Sequence, residues 1–400
     1  MKNELPRIVS ADDHVVEPAE VWTSRLPKKY VDVGPRVVRA PVAEMTFVGG
    51  KYAFAMGDEG PIGDWWVYED KAIPQTRLSA CAGFAPEDVQ VVPMIYEEMR
   101  PGCYRQAERL DDMDLNHVEA SICFPTFPRF CGQTFLEADD KDLALLCVQA
   151  YNDWMVEEWC AGSGGRLIPL CLIPLWDSRL AAAEVRRNAA RGVRAVCFSE
   201  LPTNLGLPSV HDADRHWDPF VAACDETGTV ICMHSGSGSK MPSTSTDAPP
   251  AVGSTLTHTN ATFSLVDFLF SGVFVRFPEL KVAYSEGQIG WIPYILERAD
   301  TVWEENRAWG GVADIVPEKP SSYFKDHVWG CFFDDAHGLR SVDEIGEDNI
   351  TYESDYPHSD STWPHTKQIA EEQMAALTDE QRRKIVRGNA VKLFGLDFVA

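Results

Sequence analysis

The chain has 400 residues, 45% of them hydrophobic, with 61 acidic against 36 basic side chains and a formal charge of -25. That balance disfavours nucleic acid and anionic membrane surfaces as partners. No basic leader precedes an apolar stretch, and no apolar run approaches the roughly 18 residues of a membrane span, so the chain reads as a cytoplasmic protein acting on a small molecule. The eleven cysteines are odd in number and form no CxxC pair, which argues against a disulfide framework. Cys123, Cys171, Cys197, Cys232 and Cys331 fall in apolar runs, where a thiol is a small, inert hydrophobe.

In chain order, residues 5–9 read as a short apolar strand, and "SADDHVVEP" at 10–18 follows it directly. Residues 19–105 then break the pattern with Gly and Pro clusters, the pair Trp65 and Trp66, and alternating runs such as "RVVRAPVAEMTFV". The aromatic content argues against disorder, so this stretch is expected to be a lid or wall inserted after strand one, with Trp65 and Trp66 contacting substrate. Beyond it, residues 118–124, 167–173, 193–198, 229–233, 281–285, 328–333 and 349–354 read as strands. Helical spacing of apolar residues marks 140–159, 178–190, 218–226, 257–270 and 290–303 between them.

Strands alternating with helices imply a parallel sheet. Eight such units fit a (β/α)8 TIM barrel, a single domain over 1–400, better than a Rossmann or flavodoxin-like open sheet; no GxGxxG follows the first strand. "SGSGSKMPSTSTDAPPAVGS" reads as a mobile loop, and "LTDEQRRKIVRGNAVKLFGL" as an amphipathic helix with a Thr cap.

Chemistry in such a barrel belongs at the C-terminal strand ends. Those ends carry Asp12 and His14, then His234, Glu286, Asp334 with Asp335, and Asp355. Strands two and three end instead in Phe124-Pro125 and Ile173-Pro174, which look like pocket walls, with Phe124 a substrate contact. Each polar residue alone is explained by a turn or a cap. Together they would converge buried charge on one mouth, which is expensive without a cation. Glu17, His258 in "LTHTNA", His337 in "FFDDAHGL" and His358 in "DYPHSD" are further candidate ligands.

The DxH after strand one, the His after strand five, "KVAYSEGQIGWIPYILERAD" and "ITYESDYPHSDSTWP" together resemble the amidohydrolase-related branch of the amidohydrolase superfamily. That branch includes aminocarboxymuconate-semialdehyde and resorcylate decarboxylases. The resemblance runs over almost the whole chain and implies a metal-dependent barrel, often dimeric, with Asp12, His14, His234 and Asp355 as ligands. Two departures stand out: Asp12 replaces the first residue of HxH or ExH, and Glu286 replaces the catalytic His at strand six.

One Zn2+ on two histidines and one or two carboxylates is near neutral, and Asp355 would activate its water. Adding Glu286 and Glu17 gives four carboxylates, whose charge two divalent ions would balance, as in di-iron proteins on helical bundles. The chain is also similar to a non-haem di-iron diterpenoid monooxygenase of the same branch. The favoured expectation is therefore two Fe that activate O2 to hydroxylate an apolar, terpenoid-like substrate, with electrons from a ferredoxin or reductase. The alternative is one Zn or Mn hydrolysing or non-oxidatively decarboxylating a small carboxylic acid, with Asp355 or Glu286 as base.

Overall fold

The computed structural model describes residues 4–48 and 51–398. The strands, in chain order, are β1 (Ile8–Val15), β2 (Arg36–Val48), β3 (Lys51–Met56), β4 (Ile62–Tyr68), β5 (Lys71–Pro74), β6 (Val118–Pro125), β7 (Leu167–Ile168), β8 (Leu170–Cys171), β9 (Ala195–Phe198), β10 (Val230–His234), β11 (Val282–Ser285), β12 (Val328–Phe332) and β13 (Ile350–Tyr352). One sheet runs in the order β7-β6-β1-β13-β12-β11-β10-β9-β8, and every neighbouring pair in it is parallel. Its two ends, β7 and β8, are halves of one strand interrupted at Pro169, which has no N–H to give a ladder. The ring therefore closes as a (β/α)8 barrel, and the open-sheet alternative is excluded. Parallel barrel strands are covered on both sides, which is why β10 and β12 are buried at every position and read as continuous apolar runs.

Asp140 and Asp177 cap the helices Lys141–Trp154 and Ser178–Ala189 through their carboxylates. Two of the expected helices change at their ends. The first ends at Trp154 and continues as a π-turn over Met155–Trp159. The helix expected from 290 covers Ile292–Glu305, because the Ile289 and Gly290 amides are held outside it by the Asp335 carboxylate at 2.8 and 2.6 Å. Thr378 caps the C-terminal helix in a reciprocal pair with Gln381. No helix among the described residues is long and apolar enough to cross a membrane, and all eleven cysteines are free thiols.

The inserted stretch builds an antiparallel sheet, β3-β2-β4-β5. Trp65 and Trp66 lie within it and are 0% and 2% exposed. Trp66 stacks on Phe127 at 4.8 Å and meets Trp22 edge-on at 5.0 Å, while Trp65 Nε1 donates to the Ala40 carbonyl. The substrate contact expected of them finds no exposed ring surface: Trp66 packs the inserted sheet against Trp22 and Phe127, and Trp65 is bonded within the sheet.

Candidate metal centre

β1 supplies two ligand candidates because its pairing with β6 is irregular. Ser10 faces Ser121 and Asp13 faces Cys123, so β1 carries one extra residue across that interval. A bulge of this kind re-aims side chains beside active sites. Asp12 and His14 join the cluster, whereas the Asp13 carboxylate accepts from the Ser10, Ser121 and Ser354 hydroxyls and from the Tyr356 amide. Arg109, fully buried, donates to the His14 carbonyl at 2.6 Å and lies against the Tyr356 ring.

The other strand ends bring the rest. His234 closes β10, and its Nδ1 donates to the Ser235 carbonyl at 2.6 Å, leaving Nε2 as a lone pair. Glu286 and Asp355 follow β11 and β13 in the left-handed region, at φ 52° and 53°, which turns the chain sharply at each strand end. His14 Nε2 lies 3.0 Å from His234 Nε2 and 3.3 Å from Asp355 Oδ1. His234 Nε2 lies 3.2 Å from Asp12 Oδ2 and 3.6 Å from Glu286 Oε2, and His358 Nδ1 lies 3.4 Å from Asp355 Oδ1. Two overlapping sets with metal-ligand spacing result, Asp12 with His14 and His234, and His14 with Glu286, Asp355 and His358.

The donor set fits a divalent cation. Both oxygens of Asp12 and of Asp355 are buried without a hydrogen-bond donor, and unpaired buried charge is costly. Burial holds the imidazoles neutral, pushing His234 down to about 4 and His14 well below its ordinary value. Neutral imidazole and ionised carboxylate are the forms that bind metal. Burial and the neighbouring carboxylates raise Asp12 and Glu286, whereas the facing His358 and His14 hold Asp355 low.

Glu17, His258, His337 and Asp335 stand outside the two sets. Glu17 is buried, but its two oxygens accept the Thr126 and Phe127 amides at 2.9 Å, so it pins the loop after β6. His258 begins the helix His258–Phe270, and His337 is exposed beside Arg340. Phe124 is buried against the rings of His14 and His234, at 6.0 and 5.0 Å, and so backs the ligands. Asp335 braces a loop.

Two neighbours of the cluster escaped the sequence reading. Glu353 is wholly buried; one oxygen accepts the Glu286 amide at 3.2 Å, the other has no partner, and burial pushes the group up to about 8. It is an acidic residue directly after β13 and two before Asp355, and that closeness was the available signal. Phe130 stacks on His234 at 4.2 Å and had no such signal. A cavity of about 700 Å3 reaches His358 and is lined by Cys81, Phe84 and Val89 of the inserted stretch and by Asp360 and Trp363 after β13.

The amidohydrolase family model matches residues 63–396. The chain belongs to the amidohydrolase family. Among its relatives is a 2-amino-3-carboxymuconate-6-semialdehyde decarboxylase of Dictyostelium discoideum, 23% identical over 315 residues, or 76% of this chain and 80% of that one. An amidohydrolase structure from Mycobacterium avium subsp. paratuberculosis superposes with a TM-score of 0.69 at 22% identity, covering 98% of this chain and 99% of that one. A dihydroxybenzoic acid decarboxylase from Polaromonas, solved with manganese and 2-nitroresorcinol, gives 0.59 at 21% identity over 81% of this chain and 94% of its own. These amidohydrolase relatives are not oxygenases by name. They back the hydrolase or decarboxylase alternative rather than the favoured di-iron monooxygenase, and lend no support to two Fe or a ferredoxin partner.

Proposed function

We propose that this amidohydrolase is a metal-dependent enzyme acting on a small carboxylic acid, with non-oxidative decarboxylation as its reaction and Zn or Mn as its cation. The observation that carries the reading is the pair of ligand clusters that share His14, one with Asp12 and His234 and one with Glu286, Asp355 and His358, in which both oxygens of Asp12 and of Asp355 are buried without a hydrogen-bond partner. The decarboxylase relatives supply the reaction class. When bound, the cation would polarise a substrate oxygen as a Lewis acid.

The chain's own groups divide the remaining work. Asp12, His14, His234 and Asp355 hold the cation. The Glu286 side chain is 21% exposed and His358 18%, whereas Asp12, His14 and Asp355 are sealed. Glu286 therefore faces substrate, and burial favours its protonated form. As the carbon–carbon bond breaks, its electron pair stays on the carbon that bore the carboxylate, CO2 departs, and that carbon takes the proton from Glu286 Oε2. Phe84 and Trp363 enclose the substrate and exclude water.

A second reading needs all four carboxylates in or beside the cluster, Asp12, Glu286, Glu353 and Asp355, to be ionised, which two bound cations would enforce, as in a di-iron centre hydroxylating an apolar substrate with reductase-supplied electrons; without a cation, burial raises Asp12, Glu286 and Glu353 toward their neutral forms. One experiment separates the readings. Protein purified without oxygen is analysed for metal, loaded with Mn or Zn, and assayed against hydroxybenzoic acids for CO2 release. One ion per chain and CO2 release are expected; two irons and O2 consumption without CO2 would overturn the decarboxylase reading.

A further inference from the structure

A second cavity, of about 1220 Å3, lies between the inserted sheet and the loops after β6, β9 and β10. Tyr52 and Phe54 of β3 stack at 6.3 Å along one wall, beside Ile73 of β5, and Leu205 and Leu207 line another part. Tyr52 and Ile73 are 40% and 37% exposed, so the cavity presents apolar surface to solvent.

Two independent observations point to what it takes. The first is charge. In a chain of net charge -25, Lys71, Arg129 and Lys240 gather here against a single lining carboxylate, Glu137. Glu137 engages one arm of Arg129 at 2.7 Å, and Lys71 lies 3.3 Å from Asp70. Lys240 makes no ion pair among the described residues. The second is backbone conformation. Arg129 and Ser239, at φ 62° and 56°, are both left-handed non-glycine residues, both line the cavity, and are hydrogen-bonded to each other. Such residues persist where the surroundings over-determine them, and they cluster at ligand clamps.

We propose that this groove binds an amphipathic carboxylate, its apolar body between β3 and the Leu205–Leu207 wall and its anionic head on Arg129 and Lys240. The site does not depend on the reaction assigned to the metal cluster, although the two adjoin: Phe130, next to Arg129, stacks on His234.

Laurate, below its micelle concentration, is titrated into the full chain by calorimetry, with dodecyltrimethylammonium as the cationic counterpart, before and after chelator treatment. One saturable laurate site is expected, insensitive to chelator and not shared by the cation. Lys240→Glu reverses an exposed charge, and Ala72→Trp fills the groove from β5 without altering charge; each is expected to weaken laurate at least tenfold. Absence of saturable binding, equal binding in either variant, or equal binding of the cation overturns the proposal. So does loss of binding on chelation, which would place laurate on the metal.

Discussion

His14 and His234 hold their Nε2 atoms 3.0 Å apart, and the His234 nitrogen faces its neighbour as a lone pair because Nδ1 is already spent on the Ser235 carbonyl. Two buried imidazoles in this relationship, with the unpaired oxygens of Asp12 and Asp355 around them, would be stabilised by a shared cation.

Removing the cation is therefore expected to lower the thermal midpoint. A ligand present at 100-fold its Kd stabilises by about 2.7 kcal/mol, which is several degrees for a chain of this size. Scanning calorimetry with chelator, then with Mn or Zn restored, reads this directly. A midpoint indifferent to both treatments would remove the metal centre from consideration.

Glu286→Gln keeps the side chain's shape and removes its transferable proton. In the decarboxylase reading the variant retains one metal per chain while turnover falls about 100- to 10,000-fold, the usual range for a general acid or base. Loss of metal together with activity would instead make Glu286 a ligand. Metal content and rate are measured on one preparation.

Trp66 and Phe84 both belong to the inserted stretch, yet their variants should behave oppositely. Trp66→Ala opens a void in packed surroundings and is expected to cost about 3 to 5 kcal/mol in denaturant unfolding, with KM unchanged in the folded fraction. Phe84→Ala, on the cavity beside His358, is expected to raise KM several-fold with little loss of stability. An unchanged KM for Phe84→Ala would take the substrate away from that cavity.

Glu17 gives a pH signature distinct from the metal ligands. Burial raises it from 4.5 to about 7, so from pH 4.5 upward the unfolded chain releases its proton before the folded one does. Its contribution is fully present below pH 4.5 and is lost as pH rises through 7. Glu17→Gln lacks this slope, and the variant should gain on the wild type by about 3 kcal/mol between pH 4.5 and 7.5, at 1.36 kcal/mol per unit. Urea midpoints at the two pH values test it, and a pH-independent difference would show that Glu17 is ionised throughout.

The barrel was legible because strands covered on both sides are uninterrupted apolar runs, and its strand-end candidates stood out as abrupt polarity, as at "ICMHSG". Nearness in sequence misled at Glu17, three residues beyond His14: β1 ends at Val15, and Glu17 reaches the amides of another loop. Glu353 was within reach as a second acidic residue at the end of β13, beside Asp355. Nothing periodic marks residues 81–89 or Phe130, whose positions follow from how loops meet. Trp65 and Trp66 misled because aromatic richness reports burial as readily as ligand contact, and the sequence does not say which sheet faces are covered.

β1 lies between β6 and β13, with Ser10 opposite Tyr352 and the Asp355 amide bonded to the Asp12 carbonyl at 3.0 Å. The first donors to leave the ribosome, Asp12 and His14, thus have no complete partner set until position 355 has been synthesised and β13 has docked. The nascent chain would offer a cation only fragments of the proposed site, which is complete once the ring shuts. Cation capture would then act as a late latch on maturation, and bound metal would serve as a tally of chains that have finished folding.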